Sequence, residues 1–183
     1  ERAVKLAWLG SFVRRIREVA RQERVDLLHA HNLFFCGLAA EAAGRSLGLP
    51  VVYEVRSLVE EGMEGAGAMV RSTCRQMDDL ACRLASHVTV LCRGLAEELT
   101  RRGLPAARIT VAGNGVDLDA HRPEPAPCRS DRFTLGFAGT LVAYEGLDLL
   151  LDAVAQLAPR HPHLHVLVVG DGPALPHLKQ QVQ

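Results

Sequence analysis

Residues 133–157 read FTLGFAGTLVAYEGLDLLLDAVAQL, and residues 164–173 read LHVLVVGDGP. Phe133–Ala138 is a short apolar run of strand type, and Gly139–Gly146 is a loop bounded by glycines. From 146 to 158, Leu147, Leu150, Leu151, Val154 and Leu157 recur at i, i+3, i+4 and i+7, the spacing of one buried helix face. Leu164–Val169 is a second apolar run, and Gly170-Asp171-Gly172-Pro173 turns the chain into a helix expected from about 173, with Pro173 at its first position. Strand, loop, helix, strand, helix predicts a parallel pair, because parallel strands need a crossover and a helix usually supplies it.

The same alternation runs back toward the N-terminus. Leu9, Phe12, Val13, Ile16, Val19 and Ala20 predict an amphipathic helix over 4–21, followed by a strand at Val25–His29. Residues 37–47 read as a helix stopped by Gly48-Leu49-Pro50, and Val51–Val55 as a β-branched strand. Helix 69–85, strand 87–92, helix 94–102 and strand 109–112 continue the series. Strands apolar on both faces predict an α/β architecture of Rossmann-like parallel sheets with helices on each side. The pattern breaks at Asn114-Gly115-Val116-Asp117, after which Pro123, Pro125 and Pro127 predict an extended linker. The expected division is therefore 1–116, a Pro-rich linker at 117–131, and the start of a second sheet at 132–183. Some fifty residues bury too little surface for a core of their own. With Glu1 at one end and a predicted helix running into Gln183 at the other, the chain reads as a piece of a longer protein.

Composition narrows the function classes. Twenty-one basic residues balance twenty-one acidic ones, which excludes the basic surplus of a dedicated nucleic-acid binder. Apolar residues at 48% and charged ones at 23% are those of a folded globular chain, and no apolar run reaches the length of a membrane span. Five cysteines without CxxC spacing predict reduced thiols rather than a disulfide frame or zinc site.

Doubly wound sheets bind ligands beyond the carboxyl ends of their strands, so the residues there are the functional candidates. His29 and His31 share a strand face and could ligate a metal, but no third ligand sits at a suitable spacing, and no metal is expected. His31 and Asn32 read equally as cleft residues or as polar ends satisfied by loop backbone. Glu54 and Arg56 put two charges at the mouth of a strand that should otherwise be buried; a planar guanidinium there suits phosphate or carboxylate, and a local ion pair is the alternative. The Gly139, Thr140, Glu145, Gly146 loop offers close backbone approach and helix N-terminal N–H groups to an anion such as pyrophosphate. Gly170, Asp171 and Gly172 make a tight turn with a nucleotide contact as the second reading. His161, His163 and His165 resemble a metal tract, but lie at the opposite end from the cleft and read as a solvated loop. The arginines of helix 4–21 could face anionic lipid, although a solvated face is the commoner arrangement.

"VDLLHAHN", "GLPVVYEVR", "ITVAGNGVDLDAHRP", "GFAGTLVAYEGLDLLLDAV" and "LHVLVVGDGP" occur in this order from Val25 onward. Together they resemble family 4 glycosyltransferases of the GT-B fold, nearest the bacterial branch that builds exopolysaccharides and lipid-linked glycans. The resemblance implies two Rossmann-like domains, the N-terminal one on the acceptor side and the C-terminal one holding a nucleotide-sugar donor. It implies transfer of a sugar from a nucleotide diphosphate to an acceptor hydroxyl, with retention, without a cofactor or metal, and with a saccharide or lipid-linked acceptor. A cytoplasmic protein with peripheral contact at the inner face of the bacterial membrane follows from the same likeness. The family's glycine-rich first loop would lie upstream of Glu1, and its acidic E-x7-E-type segment downstream of Gln183, so residues 1–183 alone are expected to be inactive.

The sequence departs from the commonest family pattern at three positions. Arg56 stands where many members have His, and Thr140 and Glu145 stand where the second-domain loop usually has Arg and Lys. A carboxylate near pyrophosphate is repulsive. Arg56 is therefore the residue expected to supply the charge that the loop lacks, with backbone N–H groups at 140 and around 146 supplying the rest. The departures keep a second reading in play: a non-catalytic glycosyltransferase-like binding subunit of a polysaccharide assembly complex. A dinucleotide-dependent oxidoreductase lacks its G-x-G-x-x-G loop here.

Overall fold

Parallel pairing organises both sheets of the computed structural model, which describes residues 2–63, 65–122 and 131–182. The chain divides into two compact units, Glu1–Asp117 and Leu118–Gln183. In the first, β1 (Leu28–His31), β2 (Val51–Val55), β3 (His87–Val90) and β4 (Ile109–Val111) lie side by side in chain order. Each crossover carries a helix: α2 (Phe34–Leu47), α3 (Ala68–Leu84) and α4 (Arg93–Arg101), with α1 (Arg2–Glu23) ahead of β1. The helices α1, α3 and α4 match their expected spans within two residues. Helix α2 starts three residues early, because Phe34 packs into the core and pulls the first turn into register.

The core of this unit lies on one face of the sheet. Ala30, Val51, Tyr53, Val55, Val88 and Val90 meet Phe34 and Ala40 of α2, Ala81 and Cys82 of α3, and Leu99 of α4. Parallel strands joined through helices give the α/β architecture that the sequence predicts. Neighbours in register share a face, and the face away from this core carries His29 and His31 of β1, Val52 and Glu54 of β2, His87 and Thr89 of β3, and Thr110 of β4.

Tyr53 and Asp78 tie β2 to α3 through a buried hydrogen bond of 2.6 Å, the hydroxyl donating. Arg102, just past α4, is nearly enclosed and bonds Glu98 at 2.7 Å, Glu60 at 2.5 Å and Asp79 at 3.4 Å. Arg108 closes the C-terminal end of α3 by donating to the carbonyls of Cys82, Arg83 and Ala85, the end where a helix favours positive charge.

In the second unit β5 (Phe133–Ala138) and β6 (Leu164–Val169) pair in parallel over their whole length. Helix α5 (Leu147–Leu157) and α6 (Leu175–Gln181) bury Leu147 and Leu178 around Leu141. Helix α6 begins two residues later than expected, with Pro176 and not Pro173 in its first turn. Phe133, Leu167, Val168 and Val169 of the strand pair are exposed. The prolines at 123, 125 and 127, on which the linker reading rests, lie outside the described residues. Among the described residues, no helix is long and apolar enough to cross a membrane.

Candidate functional site

In the first unit the expected residues converge at the carboxyl ends of β1 and β2. The register sets His31 beside Glu54, and the two-residue period puts His29 on the same face. Oε2 of Glu54 lies 3.2 Å from Nε2 of His29 and 3.2 Å from Nδ1 of His31, and the two rings stack with centroids 4.2 Å apart. Nε of Arg56 stands 3.8 Å from the other carboxylate oxygen, and its half-exposed guanidinium keeps donor capacity for a ligand. One half-buried carboxylate thus gathers two imidazoles and a guanidinium. Spacing along the chain offered the histidine pair no third ligand, and the sheet supplies one in Glu54. Among the described residues these three form a group whose potential ligand atoms all lie within 4.8 Å of one another, which corrects the reading that the pair stands alone.

The turn into α2 is strained. Asn32 at φ 38° and Leu33 at φ 62° both occupy the positive-φ region, unusual for residues with a Cβ. The N–H of Asn32 donates to the carbonyl of Glu54 at 2.8 Å, so the turn is fastened over the end of β2. Strain of this kind costs about 1–3 kcal/mol per residue and tends to gather at functional sites. Leu33 was not among the expected residues, since nothing in its identity marks it.

In the second unit the two glycine-bearing loops are fastened to each other. The N–H of Gly139 donates to Val169, that of Leu141 to Asp171, and that of Ala174 back to Leu141, all at 2.9–3.0 Å. A Cβ on Gly170 would stand 1.9 Å from the Gly139 carbonyl oxygen, and one on Gly172 would stand 2.3 Å from that of Leu141. This close approach accounts for both glycines without a ligand. The Asp171 carboxylate accepts from the N–H of Gly172 at 2.7 Å. Thr140 and Glu145 are exposed at the loop surface. The N–H of Gly146, expected to face an anion, donates instead to Ala143 at 3.1 Å, closing a 3-10 turn over Ala143–Glu145. What remains for an anion near 146 is the first turn of α5, whose N–H groups have no intrahelical partner.

The histidine tract pairs only within itself: the His161 and His163 rings meet edge to face at 5.9 Å, and no metal-type group forms there among the described residues. Arg102 and its three carboxylates were not foreseen. Burial opposes its charge, but the hydrogen bonds it donates to Glu98 and Glu60 outweigh that and hold it above its ordinary value. Arg102, Glu60 and Glu98 line a cavity of about 450 Å³ with Arg71, Arg75 and Glu61, of mixed sign, and the ion pairs of Arg102 join separate segments, so the group reads as structural.

Comparison with known proteins agrees with this architecture. The model of Glycosyltransferase Family 4 matches residues 3–120, and that of Glycosyl transferases group 1 matches residues 132–183. The phosphatidylinositol N-acetylglucosaminyltransferase gpi3 subunit of Schizosaccharomyces pombe is 26% identical over 93% of this chain and 37% of its own length. The 2-deoxystreptamine glucosyltransferase of Streptomyces kanamyceticus is 28% identical over 91% of this chain and 47% of its own. The crystal structure of Anabaena HepE in complex with UDP superposes with a TM-score of 0.72 at 22% identity, covering 93% of this chain and 47% of that one. The chain thus spans between about a third and a half of the length of these proteins. A parallel α/β fold of the GT-B kind, with a family model matching well over half its residues, leaves one assignment: the chain belongs to Glycosyltransferase Family 4.

Proposed function

We propose that the protein to which this chain belongs transfers a sugar from a nucleotide-diphosphate sugar to an acceptor hydroxyl, with retention at the anomeric carbon. The observation that carries this is the cluster at the carboxyl ends of β1 and β2, where a half-exposed guanidinium is held by a carboxylate in a family 4 chain. The departing diphosphate gains negative charge as the glycosidic bond breaks, and donors already in place lower that barrier. Arg56 is the cation we assign to it; in the second unit, the Thr140 region and the first turn of α5 offer backbone N–H groups to an anion. Gly139 and Gly146 shape that loop, and Glu145 orients it or meets an acceptor hydroxyl. His31, Asn32 and Glu54 take the acceptor side. Asp171 is the member of the 170–172 turn that would meet the nucleotide, through the carboxylate oxygen that Gly172 does not use. On this reading neither a metal nor a cofactor takes part in the transfer.

The acceptor we infer is a saccharide or a lipid-linked glycan in polysaccharide or glycolipid synthesis. The enzyme then works in the cytoplasm, against the inner face of the bacterial membrane. The exposed arginines of α1, of which Arg14 and Arg15 both pair with Glu18, are the surface that would meet anionic lipid. The test is nucleotide release by the full-length protein across UDP-, GDP- and ADP-sugars. Arg56→Ala should weaken donor binding about tenfold to a hundredfold, the worth of a hydrogen bond to a charged group. Retained donor affinity would remove Arg56 from the mechanism. Binding without turnover by any donor would instead support the non-catalytic binding subunit, a reading that the exposed Glu145 carboxylate favours.

A further inference from the structure

We propose that His29, His31 and Glu54 form a binding site for a divalent transition metal of the zinc class, separate from the chemistry of sugar transfer. Two imidazole nitrogens and one carboxylate oxygen are the ligand set of an open zinc site, with a fourth position left to water or an anionic group. Ligands about 2.0–2.2 Å from a tetrahedral ion stand about 3.4 Å from one another. Both histidine nitrogens already stand 3.2 Å from the same Glu54 oxygen, so an ion can enter without moving the strands. Two neighbouring parallel strands hold the three Cα atoms, which makes the site more rigid than one built on a loop. Arg56 engages the other oxygen of Glu54 and leaves the first to a metal. Its positive charge opposes the ion, but it is half-exposed and therefore screened.

The histidine rings are 40% and 55% exposed, which gives the ion a path in. Thr89, paired with Glu54 on the next strand, keeps a buried hydroxyl oxygen with no hydrogen-bond partner on the same face. Imidazole and carboxylate together select borderline first-row ions over magnesium or calcium, which prefer all-oxygen sites. An ion here adds positive charge to the cluster and occupies His31 and Glu54, so zinc should inhibit an acceptor that needs them. The binding itself does not depend on the transfer reading, since it is measured with neither donor nor acceptor present.

The experiment titrates Zn2+ by calorimetry and Co2+ by its ligand-field absorption into the chain in a Cys92→Ser/Cys128→Ser background, which removes the exposed Cys92 thiol and the one in the Pro-rich segment; thiolate ligation by the others would show in the cobalt spectrum. About one equivalent should bind, with a cobalt spectrum of nitrogen and oxygen ligands. His29→Gln, His31→Gln and Glu54→Gln should each weaken binding at least tenfold, the lower end of what even an outer partner of a metal ligand is worth. His161→Gln/His163→Gln should leave it unchanged. The two exposed rings at 29 and 31 can be replaced without touching the core, so their variants keep the test clean if Glu54→Gln folds poorly. Absence of saturable binding would overturn the proposal. Binding that survives His29→Gln and His31→Gln but disappears in His161→Gln/His163→Gln would overturn it equally.

Discussion

At the scale of single residues, the most consequential pair in the first unit is Tyr53 and Asp78. Burial pushes the Asp78 carboxyl up; the Tyr53 hydroxyl opposes this, and the nearby Glu60 and Asp79 reinforce it. Burial and the same carboxylate likewise raise the Tyr53 phenol well above its ordinary value. Tyr53→Phe removes the donor and leaves a buried carboxylate without a partner, an expected loss of about 1–3 kcal/mol by urea unfolding. The sign with pH follows from the direction of the shift. An acid whose folded value lies above its unfolded 3.8 contributes stability at lower pH and loses it as pH rises through the folded value. Asp78→Asn should therefore flatten a decline in stability that the parent shows on the alkaline side of pH 3.8, and equal slopes in the two proteins would count against this. None of this was legible in the sequence: Tyr53 reads as one more apolar strand residue, and Asp78 as an ordinary polar helix position.

Arg102 shows what a single side chain does for whole elements. It holds the segment at Glu60, helix α3 at Asp79 and helix α4 at Glu98 to one guanidinium. Arg102→Ala takes the cation from Glu60, while Glu98 keeps Arg101 and Asp79 keeps Arg75, and should cost about 1–3 kcal/mol in unfolding free energy. Arg102→Lys should recover little of it, because one ammonium cannot replace a planar fork that serves three acceptors. The hydrogen bond from Arg102 also lowers the pKa of Glu98 from its ordinary 4.5. That contribution is present above pH 4.5 and disappears as pH falls through the lowered value, so the difference between parent and Arg102→Ala should narrow in acid. Each arginine and acid is visible in the sequence, but their order gives no hint that four of them meet. The helix and strand spans fared better, since apolar periodicity and glycine or proline stops act over a few residues.

For the molecule as a whole, the two units differ in what they bury. Among the described residues, thirteen form the buried cluster around β1–β4, against three around β5 and β6. Amides of β2 and β3 should therefore be the slowest to exchange with deuterium, and those of β5 and β6 should exchange by cheaper, separate openings. Equal protection of the two sheets would contradict this. A two-stranded pair with exposed apolar residues is also a weak platform for a nucleotide. Residues 1–183 alone should bind UDP-sugars weakly or not at all by calorimetry, and saturable micromolar binding would show that the 139–146 loop suffices without further chain.

The sequence by itself determined the alternation of strands and helices, the parallel pairing and the family, because each rests on local periodicity or on short motifs in a fixed order. It also marked His31, Glu54 and Arg56 as unusual, since charges at the end of a buried strand are conspicuous in one dimension. Only the tertiary structure decided that one Glu54 oxygen faces both His29 and His31, and that Gly170 and Gly172 serve the packing of two loops. The physical reason is register. Which side chains touch across two strands depends on how the strands align, and that alignment is set by the packing of the whole sheet rather than by any stretch of the chain.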